Sequence, residues 1–120
     1  MNPVDILRHA SADAGIDPDV AVSMANKKLN EDMKHVQQND TLMFYKLLDS
    51  HSAFVHFVTA DSNLNLMHSL AYFDHMLKHN GIEDIYMNSK SKKIINGLKL
   101  VGVNLEQSDR PEYPIMGRLV

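Results

Sequence analysis

The sequence predicts one mixed α/β domain: two N-terminal helices, then a β-β-α-β-α-β-β order whose mixed sheet carries helices on its faces. Three observations carry that reading. Helical apolar spacing opens the chain and returns twice later. Two runs rich in aromatic and β-branched residues flank a loop of hairpin length. A strand, helix, strand, helix, strand passage follows them, and short right-handed crossovers fold such a passage into a sheet covered on both sides. The 120 residues suffice for one domain with a core of its own.

The elements follow in order. Asn2-Pro3 is a helix start, since Asn2 can accept orphan N–H groups and Pro3 holds the first helical φ. Ile6, Leu7, Ala10 and Ala14 then share a face, and Gly15 supplies the stop. Asp17-Pro18 repeats the start signal, and Val22, Ala25, Leu29, Met33 and Val36 predict a helix over 18–38 that ends at Gln37-Gln38-Asn39-Asp40. Residues 1–40 thus form a helical pair. Residues 42–48 and 53–60 read as strands around Asp49-Ser50-His51-Ser52, and both are apolar on both faces, as strands covered on two sides are. Leu66, Leu70, Phe73 and Leu77 predict a helix over 62–80 with Ser62 as N-cap and Gly81 as stop. Residues 82–87 make a short strand. A helix over 89–101 buries Ile94, Ile95, Leu98 and Val101 before Gly102, and strands at 103–106 and 115–120 are joined by a polar loop, 107–114.

Composition narrows function by exclusion. Twelve Lys plus Arg against fifteen Asp plus Glu leave a formal charge of −3, which gives no general pull toward nucleic acid or an anionic membrane. Without Cys there is no disulfide and no thiolate metal site. No apolar run approaches the roughly 20 residues of a membrane span, and Met1-Asn2-Pro3-Val4-Asp5 lacks the basic start of a signal peptide, so the expectation is a protein handled without export.

The segment Ser91-Lys92-Lys93-Ile94-Ile95-Asn96-Gly97-Leu98-Lys99-Leu100-Val101-Gly102-Val103, a helix closing on glycine and running into a strand, resembles the GNAT acetyltransferase fold. The likeness covers residues 41–120 and lacks that fold's first strand. Phe57-Val58-Thr59-Ala60-Asp61, the amphipathic helix of 69–78 and the Asn88, Ser91, Ile94, Leu98, Gly102 spacing are similar to the acetyltransferase-like internal virion proteins of short-tailed bacteriophages. Active acetyltransferases hold the coenzyme A pyrophosphate on a glycine-rich turn between the central strand and its helix, where bare N–H groups and the helix N-terminus meet the phosphates. Here that turn reads Thr59-Ala60-Asp61-Ser62-Asn63-Leu64-Asn65-Leu66, without glycine or basic residue. Asp61 is expected to add negative charge there, so Asp61, Ser62, Asn63 and Asn65 read as a vestigial coenzyme turn. The family's tyrosine general acid corresponds to Leu98, which cannot transfer a proton. The resemblance implies the shape without the enzyme: no catalytic residue, no cofactor, and a virion-associated or host-interacting phage protein, located in the virion or host cytoplasm, with a protein partner. One alternative is an acyltransferase that takes acetyl-coenzyme A at an altered site, with His56 or Glu83 as base. Another is a small phage inhibitor of a host enzyme or defence complex.

The remaining clusters have plain readings. His68, His75 and His79 share a helical stripe with Tyr72, opposite the apolar face; without a third ligand nearby they read as a solvated polar face, with no metal assigned. His56 in an apolar strand reads as a hydrogen-bonded sheet histidine, and Glu83-Asp84 as a polar helix-to-strand loop. Lys90, Lys92 and Lys93 form a basic cluster that reads as a solvated first helical turn; it opposes the helix dipole, which leaves an anionic partner as the lesser reading, and with only Tyr86 near for stacking nucleic acid is not expected. Met24, Met33, Met67 and Met76 read as core filling or an adaptable surface. The first 40 residues carry seven acidic against four basic groups, an acidic face able to cover the sheet or dock a partner.

Overall fold

The computed structural model describes residues 1–13, 15–89 and 91–119, with only the backbone of Lys28 and Asn30. Ala14 of the first helical face, Lys90 of the basic cluster and Val120 of the last strand lie outside the described residues. The elements are α1 (Pro3–Asp13), α2 (Pro18–Asn30), β1 (Lys34–Gln38), β2 (Thr41–Leu47), β3 (Ser52–Thr59), α3 (Asn63–His79), β4 (Asp84–Met87), α4 (Lys92–Leu100), β5 (Asn104–Arg110) and β6 (Tyr113–Arg118). The six strands form one mixed sheet in the order β1-β2-β3-β4-β6-β5. Only the β3/β4 pair is parallel; the other neighbours are antiparallel.

Strand alternation sorts the core into two layers. Leu42 and Phe44 of β2 and Phe54 of β3 meet Ile6 of α1 and Ala25 of α2 on one face. Met43, Val55 and Phe57 meet Leu66, Leu70, Phe73 and Leu77 of α3 and Ile94 and Leu98 of α4 on the other. Double coverage explains why neither β2 nor β3 alternates in sequence. Helices α3 and α4 approach closely at Gly97, where an added Cβ would sit 2.6 Å from Leu70 Cδ1. The expected caps at Asn2 and Asp17 form, with the Asp5 N–H donating to Asn2 Oδ1 at 2.9 Å and the Asp19 N–H to Asp17 Oδ1 at 2.8 Å; α4, predicted from residue 89, starts at Lys92 behind Ser91, whose Oγ accepts the Ile94 N–H at 3.3 Å. Gly81 and Gly102 close their helices at positive φ, 81° and 95°.

Two expectations are corrected. The helix predicted over 18–38 stops at Asn30, and the left-handed Asp32, φ 67°, turns the chain into β1. Met33 still joins the α1/α2 core and Val36 packs on the α3/α4 side, so their helix-like spacing belongs to a strand entry instead. Gln37 and Gln38 end β1, and Asn39-Asp40 is the hairpin turn into β2, with Asn39 at φ 51°, a conformation Asn tolerates better than most residues. The polar loop expected over 107–114 is mostly strand: β5 runs to Arg110 and β6 begins at Tyr113, with a register shift between Gln107 and Arg110. Tyr113 stacks on Phe54 at 4.8 Å between ring centroids, and the Arg110 guanidinium lies 4.5 Å over the Tyr86 ring.

Candidate functional site

A cleft opens where the parallel strands part. Strands β3 and β4 are in register only from Ser52–Asp84 to Phe54–Tyr86, after which β3 continues along β2 to Thr59. The Leu48 N–H bonds the Ser52 carbonyl and the Ala60 N–H bonds the Asp40 carbonyl. Even-numbered residues of β3 therefore aim their peptide groups at β2, and Val55, Phe57 and Thr59 aim theirs toward the parted side. The helical pair roofs this region, leaving a cleft of about 770 Å³. Leu7, Ile16, Met24, Phe44 and Val58 give it apolar walls; His56, Thr59, Asn88, Ser91 and Lys93 give it polar ones. That combination is usual for a ligand site.

At one end stands the turn from β3 into α3, and its geometry corrects the expectation for Asp61. The carboxylate faces the interior, 4 % exposed, instead of the helix N-terminus. It accepts hydrogen bonds from the Asp40 N–H at 3.1 Å, the Thr41 hydroxyl at 2.6 Å and the Ser69 hydroxyl at 2.9 Å. Thr59 Oγ1 lies 2.7 Å from Thr41 Oγ1 and accepts the Asp61 N–H at 3.0 Å. Ser69 also accepts from Asn39 Nδ2 at 3.1 Å. The network ties the turn to the β1–β2 hairpin and to α3, with each buried polar group matched to a partner. Ser62 caps α3, accepting the Asn65 N–H at 3.4 Å, while Asn63 borders a smaller groove between α3 and α4.

A cation reaches this turn from elsewhere in the chain. Lys93 Nζ, from the first turn of α4, donates to the Asp61 carbonyl at 2.5 Å, and no carboxylate pairs with it among the described residues. The local sequence of the turn carries no basic residue; the fold supplies one 32 residues away. Thr41, Ser69, Asn88 and Lys93 were not singled out together by the sequence, since what joins them is pairing across strands and helices.

The other candidates disperse. His56 lines the cleft and packs toward Phe44, ring centroids 6.3 Å apart. Glu83 precedes β4 at the far end of that strand from Asn88 and does not line the cleft, and Asp84 pairs with Arg118 at 3.3 Å. Leu98, which the resemblance aligns with a general acid, is buried between α3 and α4 and does not border the cleft either. Among the described residues the titratable groups that do are Asp13, His56 and Lys93. His68, His75 and His79 are exposed on the outer face of α3. Among the described residues no group of three or more His, Asp or Glu could hold a metal ion. Met24 lines the cleft, Met67 the smaller groove, and Met33 is core. Asp49, in the β2–β3 loop, is held below the usual carboxylate range, first by the His51 N–H and further by Ser52 and the Arg110 charge. No helix among the described residues is long and apolar enough to cross a membrane. No protein-family model matches the chain, and no curated protein matches it.

Proposed function

We propose that this chain is an acetyltransferase-like phage protein, of the internal-virion or host-interaction kind, that works by binding and not by group transfer. The observation that carries the reading is the β3–α3 turn. A pyrophosphate cradle needs bare, outward N–H groups and close backbone approach. This turn has no glycine, and its central carboxylate is spent on an internal lock with Thr41 and Ser69. The parted parallel strands and the roofing helices support the acetyltransferase-like shape, and the corrected element order, with β1 added ahead of β2, adds a strand to the likeness. The protein is assayed for coenzyme A release from acetyl-coenzyme A over a panel of amines, and purified phage particles are probed for it. No turnover and a particle-borne protein are expected; turnover above the uncatalysed rate overturns the binding reading.

One observation favours a second reading, an acyltransferase with an altered coenzyme mode. His56 lines the cleft and Lys93 brings a positive charge to the turn. Glu83 has no part in that reading, because it stands outside the cleft. Turnover lost on His56→Ala with the fold intact would select it.

A further inference from the structure

We propose that His75 and His79 form a two-histidine chelate for a first-row divalent ion of the imidazole-preferring kind, Ni²⁺, Cu²⁺ or Zn²⁺, on the outer face of α3. This is independent of the cleft. The two residues stand four apart in the last two turns of α3 (Asn63–His79), so both rings project from one side of the helix. Their centroids are 6.4 Å apart and their planes differ by 21°. An ion bound at the usual metal–nitrogen distance of about 2 Å lies roughly 3 Å from each ring centre, so two rings on adjacent positions of one ion stand roughly 4–5 Å apart, and the pair closes by roughly 2 Å to share it. Both side chains are exposed, and χ2 of histidine is a soft torsion, so aiming one nitrogen of each at a shared point costs little.

The surroundings suit a cation. The site lies at the C-terminal end of the helix, where the peptide dipoles present their negative pole. The neighbouring Lys78 is paired with Asp74 at 3.0 Å, which tempers its repulsion. His68, on the same stripe, is a full two turns away from His75 and takes no part. With two protein ligands, the ion keeps open positions for donors from outside the chain, unlike a closed structural site.

The probe is the Ni²⁺–nitrilotriacetate complex, whose four chelator donors leave two adjacent positions of the octahedron for two imidazoles. Titrated calorimetrically into the intact protein, it is expected to bind one-to-one. Either His75→Ala or His79→Ala should weaken binding about tenfold, because the second imidazole then no longer acts at high effective concentration. His68→Ala should leave it unchanged. All three positions are exposed, so the variants keep their melting temperature. Equal affinity in His79→Ala and the parent chain, or an equal loss in His68→Ala, overturns the proposal.

Discussion

Replacing Asp61 by Ala tests whether the β3–α3 turn is an internal lock. Three donors lose their acceptor: the Asp40 N–H and the hydroxyls of Thr41 and Ser69. They are not equally stranded. The Ser69 hydroxyl can turn to the Asn65 or Gln38 carbonyl, 3.0 and 3.1 Å away, and loses only the difference between a charged and a neutral acceptor. The Thr41 hydroxyl can turn to Thr59 Oγ1 at 2.7 Å, but Thr59 must then surrender the donor role in that pair. The Asp40 N–H has no other acceptor among the described residues. An orphaned buried donor costs about 1–3 kcal/mol, and a hydrogen bond to a charged group contributes about 1.5–3 kcal/mol. With the two hydroxyls partly re-paired, Asp61→Ala should cost about 3 kcal/mol. For a domain this size that lowers the melting temperature by on the order of 10 °C. Urea unfolding followed by circular dichroism measures it, with an unchanged slope on denaturant showing that the native state is still compact. A loss under about 0.5 kcal/mol, the range of ordinary surface changes, would refute the lock and return the carboxylate to solvent.

Gly97→Val places side-chain atoms against the buried Leu70 and should cost about 1–3 kcal/mol by overpacking; adding Leu70→Ala should give a double variant less destabilised than the sum, read by urea melts of all four chains. Asp49 has a folded pKa below its unfolded value, so its contribution to stability is present above pH 3.8 and is lost as pH falls through the lower folded value. Asp49→Asn should therefore be less stable than the parent near neutral pH and converge with it in strong acid, checked by thermal melts across pH 2–7.

The parts of this fold legible in sequence are those whose packing is local or periodic. Leu66, Leu70, Phe73 and Leu77 announce α3 because a helix buries one stripe. The two-faced apolar runs of β2 and β3 announce strands covered on both sides. Strand β1 is hidden because it is an edge: of Lys34, His35, Val36, Gln37 and Gln38 only Val36 joins the core, so there is no apolar alternation to read. The extension of β5 to Arg110 is hidden for the same reason, since β5 is the other edge of the sheet and none of its residues is fully buried. The candidate site was legible only in part. His56 and the β3–α3 turn stood out by residue type, but the direction of the Asp61 side chain depends on Thr41 and Ser69, and the cation on the turn comes from Lys93; none is its neighbour in sequence. Leu98, aligned by the resemblance with a general acid, lies in the α3–α4 core and does not line the cleft.

The proposal that this α/β domain works by binding, without coenzyme chemistry, is tested most directly by a calorimetric titration with acetyl-coenzyme A up to about 1 mM. A ligand reaching 100 times its dissociation constant would stabilise the fold by about 2.7 kcal/mol and raise the melting temperature by several degrees. The account predicts no saturable heat and no shift in melting temperature. Saturable one-to-one binding, weakened by Lys93→Gln, would contradict it and make the β3–α3 turn a working coenzyme site.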